Sequence, residues 1–170
     1  LNINYINLSY NKLGGVIPAY RNLSNLSQLY LHNNKYTGLS EFVNLPNLRY
    51  FYCHNQFTDG APGISGEIPD FSSCPRMYYL IMYNNSFTSY KTGSFESLPQ
   101  LRYLDISNNN LSSQALEQII IDLYQNYTDT PRGGVTINVK NSMISGATLP
   151  EETLELIVLL RAKGWTVILQ

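Results

Sequence analysis

The strongest constraint on this chain is a spaced pattern of apolar residues, seen most clearly in the segment 101–111. The segment reads Leu-Arg-Tyr-Leu-Asp-Ile-Ser-Asn-Asn-Asn-Leu, and its apolar residues are Leu101, Leu104, Ile106 and Leu111. The alternation predicts a short strand that sends Leu104 and Ile106 to one face. The chain must then turn, and Asn109 can bond backbone groups that have lost their strand partners. One such unit cannot bury its apolar face alone, so it needs similar units stacked on it.

The same spacing returns along the chain in the form L-x-x-L-x-L-x-x-N-x-L. Complete copies are Ile3-Ile6-Leu8-Asn11-Leu13, Leu26-Leu29-Leu31-Asn34-Tyr36 and Met77-Leu80-Met82-Asn85-Phe87. A further copy begins with Leu48-Phe51-Cys53, and we predict that Asn55-Gln56-Phe57 closes it about one residue early. A degenerate last copy, Ile137-Val139-Ser142-Ile144, has serine in the asparagine place. The recurring asparagines are therefore predicted to form a structural ladder of Asn11, Asn34, Asn85 and Asn109.

This spacing resembles that of leucine-rich repeat proteins. The segments 14–18 and 64–69, which read Gly-Gly-Val-Ile-Pro and Ile-Ser-Gly-Glu-Ile-Pro, resemble the L-x-G-x-I-P element of the plant-type class. The resemblance implies an α/β solenoid, a horseshoe segment with a parallel concave β-sheet and about six repeats. We assign residues 1–148 to the repeats and residues 149–170 to a C-terminal helix–strand cap, whose ending resembles that of bacterial and phage-encoded members.

Two segments have the periodicity of helices. Residues 113–127 carry apolar residues at i, i+3, i+4 and i+7, with Ser112 or Ser113 as the N-cap. A second helix is predicted to open at residues 149–152, with acids in its first turn, and to end at Gly164. Its apolar residues spread over several faces, so we expect it to be mostly covered. A final strand is predicted over 165–169, and the turn-rich segment 58–63 is interpreted as a surface insertion rather than a specificity loop.

Composition and charge exclude several classes of function. The 170 residues carry a net charge of −1, so bulk electrostatics does not favour nucleic acid or an anionic membrane. No apolar run reaches the roughly 18 to 20 residues that span a bilayer, so direct membrane insertion is not expected. Cys53 and Cys74 take core positions, which favours two buried thiols over a disulfide or a metal pair. Because the chain opens inside a repeat, we expect further residues before Leu1.

The residues between the strand leucines are predicted to face outward on the concave sheet. Seven of the fourteen tyrosines fall at such positions, where the core does not require them. Tyrosine offers a large rigid surface and one hydroxyl at little entropic cost, so we predict a ligand-binding surface there. The alternative is that stacked tyrosines only stabilise the sheet. The predicted ligand-binding residues are Tyr30, His32, Tyr50, Tyr52, His54, Tyr79, Tyr83, Tyr103 and Asp105, centred on Tyr50, Tyr52, Tyr79 and Tyr83.

The two histidines occupy the same column in adjacent units, next to Tyr83. Two imidazoles one strand apart can hold a metal or act as a pH switch. The neighbouring column positions offer no suitable third ligand, so we interpret His32 and His54 as ordinary contact residues. No catalytic constellation and no cofactor motif is recognised, so we expect no enzyme activity and no cofactor.

Six N-x-S/T sequons occur in the chain. Asn7 is one of them, and a glycan there would obstruct the concave surface. The others are possible glycosylation sites at Asn22, Asn25, Asn84, Asn110 and Asn126. The alternative is that the repeat itself brings Asn, Leu and Ser together without any glycan.

These features predict a non-catalytic module for adhesion or receptor recognition, displayed extracellularly on a cell or virion surface. Its expected partner is a protein or a glycan on another surface. A second hypothesis is a structural subunit of a virion, fibre or filament, in which the chain is a homo-oligomer or part of a larger assembly. A third is a plant-type receptor ectodomain or enzyme inhibitor.

Overall fold

A computed structural model describes residues 2–56, 60, 63–129 and 132–169. Most of the predicted insertion at 58–63 therefore lies outside the described residues. Within them the elements in chain order are β1 (Tyr5–Asn7), β2 (Gly14–Ile17), β3 (Gln28–Tyr30), β4 (Lys35–Leu39), β5 (Tyr50–Tyr52), β6 (Ser65–Ile68), β7 (Tyr79–Ile81), β8 (Ser86–Tyr90), β9 (Tyr103–Asp105), α1 (Ser113–Asp129), β10 (Thr136–Asn138), α2 (Glu151–Ala162) and β11 (Thr166–Ile168).

One long parallel sheet organises the molecule. Its strand order is β1-β3-β5-β7-β9-β10-β11, and each strand pairs in parallel with its neighbours. Parallel pairing follows from the repeat, because each turn of a solenoid brings the chain back in the same direction. The central residue of each inner strand, such as Leu29 or Leu80, is fully buried. The predicted solenoid with a parallel concave sheet is therefore confirmed.

Two smaller sheets lie on the return segments. β2 pairs with β4 and β6 pairs with β8, again in parallel. The predicted Ile-Pro elements supply β2 and β6, in which Ile17 and Ile68 are fully buried. Each pairing contains a register shift beside a glycine with positive φ, at Gly15 (78°) and Gly66 (92°). A side chain at these positions would strain the backbone, so glycine permits the bulge.

The third repeat does not close early, and this prediction was wrong. Gln56 takes the asparagine place and is fully buried. Its Nε2 donates to the carbonyl oxygens of Leu31 at 2.8 Å and Cys53 at 3.2 Å, and its Oε1 accepts from the Tyr36 N–H at 3.1 Å. Glutamine has the same amide as asparagine and one more methylene, so it satisfies the same backbone groups from this position.

The inner asparagines bond the carbonyls that the strands leave free. In the second unit Asn34 Nδ2 donates to Leu8 O at 2.8 Å and Leu31 O at 3.0 Å, and Oδ1 accepts from Leu13 N–H. This side chain thus links its own unit to the preceding one. Asn85 and Asn109 donate in the same way to Cys53 O and Met82 O, whereas Asn11 donates to Leu8 O and Ser9 O of its own unit. In the last unit the Ser142 hydroxyl is buried without a partner in the described part of the chain.

The C-terminal part contains both helices. α1 begins where predicted, and the Ser112 hydroxyl accepts from the Ala115 N–H at 3.1 Å as an N-cap. The expectation that the second helix is mostly covered was wrong. Only Thr153, Ile157 and Leu160 of α2 are buried, whereas Val158 is 61% exposed. The helix packs on α1 and β11 through a single stripe, because its neighbours lie on one side only.

The two cysteines are free and buried, as predicted. Burial raises the pKa of the Cys53 thiol and raises that of Cys74 to about 12. Both thiols are therefore protonated and inert near neutral pH. In the described chain no helix has the length and apolar character needed to cross a membrane.

Candidate binding surface on the concave sheet

The strand register aligns the outward side chains in three columns. The first column is Tyr5, Gln28, Tyr50, Tyr79, Tyr103 and Thr136, and the middle column is Asn7, Tyr30, Tyr52, Ile81, Asp105 and Asn138. The third column, just after the strands, is Ser9, His32, His54, Tyr83, Ser107 and Lys140. We call the outward residues of the second to fourth units the aromatic half. We call those of the fifth and sixth units the polar half.

The first column is a stack of tyrosine rings. The Tyr50 and Tyr79 ring centroids are 5.7 Å apart with planes at 23°, and Tyr79 and Tyr103 repeat this geometry at 5.6 Å. In the middle column the ring centroids of Tyr30 and Tyr52 lie 4.8 Å apart. The structure therefore brings the predicted tyrosines into one continuous, partly exposed surface.

The third column is packed more tightly. His32 and His54 are nearly parallel, with centroids 4.6 Å apart and planes at 9°, and His54 stacks on Tyr83 at 4.4 Å. The Tyr10 and His32 rings pack edge to face, with centroids 5.2 Å apart. The ring faces in this column are covered by one another, so the rings offer mainly their edges and polar atoms to a ligand.

The packing of the histidines favours their neutral form. Burial, followed by repulsion from His32, lowers the pKa of His54 to about 4, and burial lowers that of His32 as well. The Nδ1 atom of each ring is buried and has no hydrogen-bond partner in the described residues. A protonated ring would need acceptors at both nitrogens. Within the same residues, no group of three or more His, Cys, Asp or Glu side chains could hold a metal ion.

The polar half differs from the prediction in one important respect. Asp105 was expected to face solvent, but it is only 6% exposed. Its Oδ1 accepts from the Ser107 N–H at 3.0 Å and hydroxyl at 2.6 Å, and its Oδ2 accepts from Asn138 Nδ2 at 3.0 Å and Tyr103 Oη at 3.2 Å. The carboxylate is saturated by internal donors, so it ties two units together and is poorly placed to contact a ligand.

A second asparagine ladder lies at the surface and was not predicted. It consists of the residue just before the asparagine place, namely Asn33, Asn55, Asn84, Asn108 and Asn141. Each takes a left-handed backbone conformation, with φ between 49° and 56°. The side-chain amides link unit to unit, for example from Asn84 Nδ2 to Asn55 Oδ1 at 2.7 Å and from Asn108 Nδ2 to Asn84 Oδ1 at 2.7 Å. The recurring asparagine at this place could have predicted the left-handed turn, since asparagine tolerates this conformation best among residues with side chains.

The sequons differ in accessibility. Asn22, Asn25 and Asn110 are exposed, whereas both amide atoms of Asn84 belong to the surface ladder. Asn126 is 1% exposed, and its Nδ2 donates to the carbonyl oxygens of Phe95 at 3.0 Å and Glu96 at 2.9 Å. The suggestion of a glycan at Asn126 was therefore wrong, because the folded chain buries the amide.

Comparisons with known proteins agree with this architecture. A family model described as leucine rich repeat matches residues 71–114, and a second model of the same description matches residues 2–23. Over 85 residues, or 49% of this chain, the sequence is 31% identical to the geranylgeranyl transferase type-2 subunit alpha of Mus musculus. The match covers only 14% of that relative.

Repeats of this kind generally form binding scaffolds for other proteins rather than catalysts. The repeated spacing, the seven-stranded parallel sheet and the two family matches lead to one assignment. The chain is a leucine-rich repeat protein.

Proposed function

We propose that this chain is a non-catalytic module that binds a partner protein through the aromatic half of its concave sheet. The observation that carries the proposal is the continuous set of stacked, partly exposed rings on β3, β5 and β7. Rigid aromatic side chains lose little entropy on binding, and tyrosine is enriched among the residues that dominate interface energies. The same rings stabilise the sheet, so the two interpretations of the tyrosines are compatible.

The hydroxyl groups add specificity. Tyr30 Oη donates to Gln28 at 2.8 Å and Tyr103 Oη to Asp105, whereas the hydroxyls of Tyr50, Tyr52 and Tyr79 make no hydrogen bond within the described chain. These three groups are available to a ligand. Because the stacked rings cover one another's faces, the surface suits the hydrogen-bonding groups of a polypeptide better than a sugar that packs flat on a ring.

We further propose that the module acts outside the cell, on a cell or virion surface. The exposed sequons at Asn22 and Asn110 support this location, since each could carry a glycan without disturbing the concave sheet. Detection of glycans at these asparagines by mass spectrometry of the native protein would support a receptor ectodomain or inhibitor of the plant type. An unmodified native protein would count against that version.

An assembly role is the second candidate. The apolar side chains of Leu154, Val158 and Leu159 on α2 are 43–61% exposed, and the mouse relative is named as a subunit of a larger enzyme. Both observations suit a chain that packs against other subunits. Sedimentation of the isolated chain over a wide concentration range tests this role, and a strictly monomeric species would count against it.

The main experiment compares two triple variants. Tyr50, Tyr52 and Tyr79 are changed to Ala in one, and the exposed convex residues Val16, Lys91 and Glu96 are changed to Ala in the other. We expect the wild type and the convex variant to recover the same partner from a surface-protein extract, and the tyrosine variant to lose it. Circular dichroism should show that all three are folded. Equal recovery by the tyrosine variant would overturn the proposal.

A further inference from the structure

The edge of the sheet where the strands begin carries several arginines. Arg49, Tyr78 and Arg102 each lie one residue before a strand, and the Tyr78 and Arg102 N–H groups donate to the carbonyls of Arg49 and Tyr78 at 2.8 and 2.9 Å. Arg76 lies three residues before β7, in the same position as Asn47 before β5. The backbone therefore holds these side chains in register along one edge.

Two adjoining cavities open at this edge. One, of about 490 Å³, is lined by Arg49, Pro75, Arg76, Tyr78 and Gln100. The other, of about 460 Å³, is lined by Asn25, Ser27, Gln28, Asn47, Arg49, Tyr50 and Arg76. The Arg49 and Arg76 guanidinium groups line both cavities, and none of the described residues in either wall is an aspartate or a glutamate.

The two guanidinium groups differ in how they are held. Arg76 Nη1 donates to Asn47 Oδ1 at 2.5 Å, which fixes its direction, while the exposed Arg49 side chain has no hydrogen bond with the described residues. The site therefore combines a preoriented cation with a free one. A guanidinium binds a carboxylate through two parallel hydrogen bonds, and clustered arginines without acids create a local positive potential despite the net charge of −1.

We propose that this edge binds the carboxylates of an acidic peptide segment of the partner protein. The proposal rests on the proposed function, since it describes how the same partner is recognised. Tyr50 lines the second cavity and also stacks in the aromatic half, so the edge and the concave surface are continuous. A segment with aspartate or glutamate beside apolar residues can contact both at once.

The test uses a fluorescein-labelled peptide of eight glutamates and the full chain. We expect it to bind at low ionic strength, to weaken as salt is added, and to bind about five- to twenty-fold more weakly to an R49Q/R76Q variant, as loss of two exposed charge pairs implies. An R21Q/K91Q variant removes the same charge from exposed positions elsewhere and should bind like the wild type. A peptide of eight glutamines should not bind.

Three results would overturn the edge site. They are no binding of the glutamate peptide by the wild type, equal binding by R49Q/R76Q, and binding of a single-stranded oligonucleotide of equal charge as tightly as the peptide. The last result would show that the edge selects charge alone.

Failure of the edge site remains separable from failure of the proposed function. Tyr52 lies outside both cavities, so Tyr52→Ala should weaken binding of the partner while leaving the glutamate peptide unaffected. If Tyr52→Ala and the tyrosine triple variant both keep the partner while R49Q/R76Q loses the peptide, the edge site stands and the concave surface fails.

Discussion

The two halves of the concave sheet share one backbone register but use their outward side chains differently. In the aromatic half the rings pack on one another, and the hydroxyls of Tyr50, Tyr52 and Tyr79 have no hydrogen-bond partner among the described residues. In the polar half Asp105, Ser107 and the half-buried Asn138 bond one another, and Asp105 and Ser107 are withdrawn from solvent. Stacked rings can stabilise a sheet and still offer groups to a ligand, whereas a saturated polar network cannot offer its groups without breaking.

The first and fifth units sharpen this contrast because they carry the same local motif. In the first unit Asn7 Oδ1 accepts from the Ser9 N–H at 3.0 Å and hydroxyl at 2.6 Å, as Asp105 does from Ser107. Asn7 is exposed, while Asp105 is buried beside Asn138 of the next unit. The neighbour across the sheet, rather than the residue itself, decides whether an outward position is available to a ligand.

The largest effect is expected from Asp105→Ala. The change removes the acceptor of the buried Ser107 N–H and hydroxyl and of the half-buried Asn138 amide, and each buried group left unpaired costs about 1 to 3 kcal/mol. We expect the free energy of unfolding to fall by about 3 kcal/mol, measured by urea denaturation with circular dichroism.

Asn7→Ala is the matched control for this variant. It removes the same two bonds to serine at an exposed site, where water replaces them, so the loss should stay within about 0.5 kcal/mol. Equal losses in the two variants would show that the polar half is not a buried network.

The next effect concerns binding. Tyr52 lies at the centre of the aromatic half, and truncation of a central interface tyrosine commonly costs about 2 kcal/mol, or roughly thirty-fold in affinity. We expect Tyr52→Ala to lower the affinity for the partner by about this factor, as measured by surface plasmon resonance. Asn138→Ala, its counterpart in the middle column of the polar half, should change affinity by less than about three-fold. A larger effect at Asn138 would move the binding centre to the polar half.

The repeat spacing was sufficient to predict the solenoid, because its physical basis is local. Leu104 and Ile106 alternate within one strand, and a face that one unit cannot bury forces stacking. The outward columns followed from the same alternation. Gln56 was not predicted to take this place because it is not an asparagine, although its side-chain amide bonds the same backbone carbonyls.

Other features depend on contacts that no local pattern contains. Asp105 is buried by Asn138, which lies 33 residues later, and Asn126 is buried by Phe95 and Glu96 carbonyls, about 30 residues earlier. The exposure of Val158 depends on which side of α2 has neighbours. The sequence pattern predicts the faces of a helix or strand, but contacts with residues distant in sequence determine which face is buried.

A smaller effect should appear as a pH dependence of stability in the aromatic half. The pKa of His54 is about 4 in the folded chain against 6.5 for a free histidine, so the unfolded chain takes up the proton first as pH falls. Stability is therefore lost progressively between about pH 6.5 and pH 4. Because the ring is partly exposed, we expect about 1 to 2 kcal/mol rather than the full value of the shift.

His54→Gln tests this directly. Carboxylates also titrate near pH 4, so the measurement is the difference between the variant and the wild type in urea denaturation at pH 7 and at pH 4.5. The variant should lose less stability on acidification, with a remainder from His32, whose pKa is lowered too. Identical pH profiles would mean that the His32–His54–Tyr83 stack accommodates the charged ring.

The smallest effect concerns the surface ladder, which crosses both halves. Asn84 lies at their junction, with φ of 52° and amide bonds to Asn55 and Asn108. Asn84→Gly keeps the left-handed backbone and removes one exposed and one part-buried hydrogen bond, so we expect a loss of about 0.5 kcal/mol in thermal or urea unfolding. Asn84→Ala adds the strain of a side chain that disfavours this conformation, so the loss should reach about 1 to 2 kcal/mol.

If both variants lose the same amount, the amide bonds and not the backbone conformation are the reason for asparagine. If neither loses stability, the ladder contributes nothing to joining the halves, and only the buried amides such as Asn85 hold the units together.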